Sequence, residues 1–206
     1  MNDSATQYKK YEIQMQRAEL FKLISEIYSI KIAIYPGSYI HISPSFYIPE
    51  VVYIDNDSNA KKFFSDNSFR KLIEKEKEYT EETVLRFHPQ SYMKKLTEKE
   101  DYFDLLISQY SGPVSFYCKK YLKTKGFLLV NNSHGDAGIA DLDPDFELIA
   151  VINYRNDKFY HSTKNLESYF IPKKKDITVT IEKLLETSKG IGYTKTASHY
   201  LFQKRE

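Results

Sequence analysis

At 206 residues, with 41% hydrophobic and 28% charged residues, the chain is long enough to bury one sizeable core and too apolar for a disordered polymer. Its 30 basic and 28 acidic residues leave a net charge of +2, mixed along the sequence, so composition gives no strong nucleic-acid signal. A single cysteine, Cys118, excludes an intrachain disulfide, and no apolar run reaches the length of a membrane-spanning helix.

The start, MNDSATQYKKYEIQ, lacks the apolar stretch of a signal peptide, and a cytoplasmic chain is expected. Ala18, Phe21, Ile24 and Tyr28 recur at helical spacing and predict one helix over 7–30. KIAIYPGS is a strand stopped by Pro36 and Gly37, and PEVVYIDND is a second, with Asp55 at its carboxyl end. Residues 58–79 predict one or two helices, TVLRFHPQ a third strand broken by Pro89, and QSYMKKLTEK a short helix. Phe103–Ser108 is a fourth strand, followed by a helix across 113–122 with Pro113 near its first turn. Cys118 lies in that helix, where a packed thiol is the expectation. Phe127–Asn131 is a fifth strand running into the polar loop NNSHGDAG; FELIAVIN is a sixth, a helix follows at 178–188, and SHYLFQK is the last strand. The irregular segment 154–175 fits an added hairpin.

This alternation predicts a doubly wound α/β fold: a mainly parallel, Rossmann-like sheet in three α/β/α layers, read as a single domain. Within it, the helix 7–30 precedes a cofactor half over 31–100 and a substrate-side half over 101–206. In such sheets ligands lie beyond the carboxyl ends of the strands. Glycine after the first strand lets backbone approach a ligand, and an acid after the second can accept from a ribose diol. Gly37 and Asp55 stand 18 positions apart, near the ~20-residue spacing of that pairing. The competing readings are an ordinary strand-to-helix turn for YPGS and a helix cap for Asp55, although Asp57 or Ser58 suits the cap better.

The succession YPGS, VVYIDND, RFHPQ, FDLLISQYSG and GFLLVNNSHGD resembles the class I S-adenosylmethionine-dependent methyltransferases, whose sheet ends in a reversed hairpin. The resemblance covers residues 10–206 as an order of elements. It implies that Tyr35, Pro36, Gly37 and Ser38 form the first cofactor loop and that Asp55 holds the ribose hydroxyls. It further implies that Asn56, His88 and Gln90 border the adenine, and that Ser108, Gln109 and Tyr110 end the fourth strand beside the reactive methyl. The sequence departs from the family in keeping one glycine where E/D-x-G-x-G-x-G is usual. It also lacks the Asn/Asp-Pro-Pro-Tyr loop of enzymes that methylate exocyclic amino groups of DNA, which disfavours that activity.

Other chemistry is weaker. His134 suits a general base and Asn132 a positioning group; the competing reading is a turn with Gly135 and Gly138 at positive φ and Asp136 as a cap. His134, Asp136, Asp141 and Asp143 carry ligand-type atoms without a diagnostic spacing, so no metal site is assigned. The basic stretches CKKYLKTK and PKKKD read as solvated faces. His41, His161 and His199 are isolated. The expectation is therefore a methyltransferase using S-adenosylmethionine on a small-molecule or unknown substrate, with Tyr110, Asn132 and His134 handling substrate or proton. The alternative is a non-catalytic Rossmann-like module that binds a small molecule or a partner. A nicotinamide dinucleotide ranks lower, because its G-x-G-x-x-G turn is missing. Oligomeric state leaves no mark in the sequence.

Overall fold

The computed structural model describes residues 3–15 and 17–206, in two compact units, 1–94 and 95–206. The first unit holds α1 (Ser4–Met15), α2 (Ala18–Tyr28), β1 (Ile32–Pro36), β2 (Glu50–Ile54), α3 (Ser58–Ser65), α4 (Ser68–Glu76) and β3 (Val84–His88). The helix expected over 7–30 is two helices, and Gln16 lies outside the described residues. The Glu12 carboxylate accepts from the backbone N–H groups of Arg17 and Ala18, both at 2.7 Å. It thereby satisfies donors that a new helix start leaves without intrahelical partners. Residues 58–79 also form two helices; Asp57 caps the first by accepting from Asn59 N and Ala60 N.

The three strands run parallel in the order β3-β2-β1. Residues 33–36 and 51–54 are all buried, because both faces of these strands are covered. Phe63 and Phe69 stack at 5.3 Å and are buried, each contributing roughly 2–3 kcal/mol. The register sets Pro36 beside Ile54 and Ile54 beside His88, so the segments after all three strands leave from one edge. That edge positions the first set of candidate residues.

The second unit holds β4 (Phe103–Ser108), α5 (Val114–Cys118), β5 (Leu122–Val130), α6 (Asp136–Leu142), β6 (Phe146–Arg155), β7 (Lys158–Ser162), α7 (Ile181–Thr187) and β8 (His199–Lys204). Its strand order is β4-β5-β8-β6-β7: β4 and β5 are parallel, and the remaining pairings are antiparallel. The 154–175 segment does supply a hairpin, since β7 folds back on β6 through Asn156 and Asp157, at φ 49° and 56°. Two positive-φ residues match the twist of a tight hairpin.

Two helix expectations fail. Residues 90–99 are irregular, with one turn and bends: Leu96 is the one buried residue among them, and a helix there would have no apolar stripe to bury. The helix over 113–122 stops at Cys118, passes through a 3-10 turn at Lys119–Tyr121, and gives way to β5 at Leu122. There the backbone pairs with Phe103 in the sheet, so the fifth strand starts five residues earlier than Phe127. Cys118 is buried, and burial pushes its thiol up to about 12, so it is a packed, inert group.

Candidate functional site

In the first unit the chain turns sharply after β1. Gly37 has φ 67° and Tyr39 φ 49°. The Gly37 and Ser38 N–H groups both donate to the Ile54 carbonyl, at 2.7 and 3.4 Å, folding the turn over the end of β2. Asp55 completes the clasp. Its Oδ2 accepts from Tyr39 N at 2.7 Å and its Oδ1 from Asp57 N at 2.8 Å, while its own N–H donates to the His88 carbonyl at 3.2 Å. A carboxylate offers about four acceptor positions, so two remain for a hydroxyl-bearing ligand.

Ser38 is 1% exposed, yet its Oγ finds no hydrogen-bond partner among the described residues. Pro36 is buried, Gly37 half-buried and Asn56 exposed. His88 and Gln90 are partly exposed, and Gln90 N–H donates to the His88 carbonyl at 2.8 Å. Tyr35 lies elsewhere. Its ring is buried against Phe21, His41 and Tyr53, and its hydroxyl meets His41 Nδ1 at 3.0 Å. Burial holds that histidine well below the usual imidazole range, so it is neutral and serves the core. Tyr39 is the residue the sequence reading passed over; its only signal is its place two residues after the glycine.

In the second unit, Ser108 ends β4 with its hydroxyl turned inward, donating to Asp136 Oδ2 at 2.5 Å. Asp136 also accepts from Ser115 N at 3.1 Å and Ser115 Oγ at 2.5 Å. It does not cap the segment that follows it; it ties the end of β4 to the starts of α5 and α6. Gly135 has the expected positive φ of 86°, but Gly138 sits inside α6. A Cβ on Gly138 would lie 2.6 Å from Tyr193 Oη, so close approach explains that glycine.

Asn131, beside the predicted Asn132, organises the strand ends. Its Oδ1 accepts from Ser133 Oγ at 2.9 Å, Ser133 N at 3.3 Å and Tyr110 N at 3.4 Å, and its Nδ2 donates to Gln109 Oε1 at 3.2 Å. Because Asn131 Oδ1 is engaged as an acceptor, the amide orientations are fixed. Gln109, 3% exposed, is left with an Nε2 that has no partner among the described residues. Tyr110 is at φ 58° with a side chain 55% exposed. Asn132 Oδ1 accepts from Gly138 N at 3.3 Å, and His134 is half-buried in the same loop.

Asp143 and Asp145, from the DLDPD turn, both hold Lys119, at 2.6 and 2.7 Å. Lys120, Lys123 and Lys125 are likewise paired, with Glu100, Asp104 and Glu206, so CKKYLKTK is an ion-paired face.

No family model and no curated protein sequence matches the chain. Solved structures do. A methyltransferase from Geobacter sulfurreducens aligns over 100% of this chain and 89% of its own, at 11% identity and a TM-score of 0.52. The N-methyltransferase NodS from Bradyrhizobium japonicum aligns over 94% of this chain and 97% of its own, at 9% identity and a TM-score of 0.50. At such identities the likeness is one of fold. With parallel strands, an antiparallel C-terminal pairing and flanking helices, the chain is a divergent protein with the Rossmann-like fold of class I S-adenosylmethionine-dependent methyltransferases.

Proposed function

We propose that the chain binds S-adenosylmethionine and transfers a methyl group to a substrate still to be identified. The observation that carries this reading is the loop after β1: a turn folded over the end of β2, clasped by Asp55, with a buried Ser38 hydroxyl left without a partner among the described residues. Buried hydroxyls are nearly always bonded, so an unbonded one beside a carboxylate with spare acceptor positions suits a ligand's polar edge. When bound, S-adenosylmethionine supplies a methyl group on a positively charged sulfur.

The chain's own residues divide the work. Asp55 accepts from the ribose hydroxyls, Gly37 keeps the loop free of side chain, and Ser38 bonds the methionine part. Asn56, His88 and Gln90 border the base, while Pro36 and the backbone of Tyr35 shape the loop. In the second unit Gln109 presents its unpartnered amide N–H, and Ser108 anchors the strand end that carries it. Tyr110 and Asn132 orient a substrate, and His134 accepts the proton a nucleophile releases. Methyl transfer gains chiefly from alignment of the reacting atoms, so no strongly coupled acid–base pair is required.

A non-catalytic binding module on the same fold is the second reading. It is favoured by the single glycine of YPGS and by the Ser108 hydroxyl being committed to Asp136. Equilibrium binding of S-adenosylhomocysteine to the wild type and to Asp55→Ala tests the ribose assignment. Affinity is expected to fall about tenfold or more, the scale of a lost charge-assisted hydrogen bond, with the circular dichroism spectrum retained. Equal affinity in the two proteins removes Asp55 from the site.

A further inference from the structure

The β6–β7 hairpin carries a feature that the cofactor reading does not use. A cavity of about 630 Å3 opens beside it, lined among others by Arg155, Tyr160, Thr163, Lys164, Tyr169 and Lys195. The volume is that of a small-molecule site, ~300–1,000 Å3. No aspartate or glutamate is among the lining residues. Arg155, Lys164 and Lys195 form no ion pair among the described residues, whereas Lys119, Lys120, Lys123, Lys125 and Lys204 of the same unit each hold a carboxylate. Between positions 154 and 195 stand nine basic and five acidic residues, a net +4 in a chain whose total is +2.

Two of the cations are fixed in place without being neutralised. Arg155 lies over the Tyr160 ring at 4.7 Å and Lys195 over the Tyr169 ring at 4.2 Å. An aromatic face orients a cation and leaves its charge for a further anion. Lys195 Nζ also donates to Ser168 Oγ at 2.8 Å, which leaves it two of its three hydrogens.

We infer that this cavity binds a small molecule bearing a phosphate or polyphosphate group. The Arg155 guanidinium offers the planar fork that phosphate oxygens accept, and Lys164 and Lys195 add point charges. The net +4 of the segment would draw a multiply charged anion toward it.

The test is a calorimetric titration of the full chain with inorganic pyrophosphate at low salt. Saturable binding is expected, weakening as salt rises because screening shortens the reach of the charges. In Arg155→Ala/Lys195→Ala affinity should fall about tenfold or more, the loss of two charge-assisted contacts. Asp55→Ala, which alters the proposed cofactor loop, should bind pyrophosphate as the wild type does. So should Lys173→Ala/Lys174→Ala, which removes the same charge from outside the cavity lining. All these side chains are at least partly exposed, and circular dichroism checks that each variant folds. Absence of binding overturns the inference, as does an equal loss in the two lysine- and arginine-depleted variants. Tighter binding of citrate overturns the choice of phosphate. Tighter binding of a short single-stranded oligonucleotide, abolished by the same pair of substitutions, replaces the small molecule with a nucleic acid.

Discussion

Ser38 and Tyr35 show how far single residues could be read. Both stand in YPGS, and the resemblance treats them alike, yet one has a buried hydroxyl without a partner and the other closes the core against His41. The sequence could not separate them, because residues 33–36 are buried throughout and the alternation that reveals a strand's faces is missing. The place of Asp55 at the end of an apolar run was legible; its bonds to Tyr39 N and Asp57 N were not, because they depend on the turn geometry. Ser38→Ala removes a buried hydroxyl that makes no bond among the described residues. The expected result, from urea unfolding of ligand-free protein, is a stability unchanged or raised by up to about 1 kcal/mol, alongside weaker binding of S-adenosylhomocysteine. A loss of more than about 1 kcal/mol would mean that the hydroxyl is already satisfied within the fold.

Among the elements, the strands were legible and the helices less so. Short apolar runs bounded by Pro, Gly and Asp mark strands strongly, whereas helix limits depend on partners distant in sequence. Glu12 starts α2, and the pairing of Leu122 with Phe103 stops the helical stretch after Cys118. Asp136 is the largest such case. Expected as a cap, it joins the end of β4, the start of α5 and the start of α6 through Ser108 and Ser115. Burial pushes its carboxyl up to about 6, against the pull of its hydrogen bonds. In the unfolded chain the group ionises near ~3.9, so between these values the folded state holds more protons than the unfolded. Its contribution to stability therefore falls as pH rises through that window. The expected readout is the difference between wild type and Asp136→Asn in urea unfolding, which should shrink by roughly 2–3 kcal/mol from about pH 4 to about pH 6.5. A difference that grows with pH would show that the hydrogen bonds, rather than burial, govern this carboxyl.

At the scale of the molecule, the alternation of helices and strands was enough to read the fold, because burying both faces of parallel strands demands that order. The site was less legible. Identities of 9% and 11% to structures of the same fold leave element order as the shared signal, and the usual glycines of the first loop are absent. Charge behaved similarly: a total of +2 conceals the net +4 gathered between 154 and 195, and only the folded hairpin shows which of those cations line one cavity. The central claim is that this fold, in this chain, retains a cofactor loop. It is tested most directly by calorimetric titration of purified protein, first freed of any co-purified ligand, with S-adenosylmethionine. Saturable binding at micromolar concentrations, weakened by Asp55→Ala, is the predicted result. No binding to folded, ligand-free protein would contradict the account and leave the loop as a turn that closes the sheet.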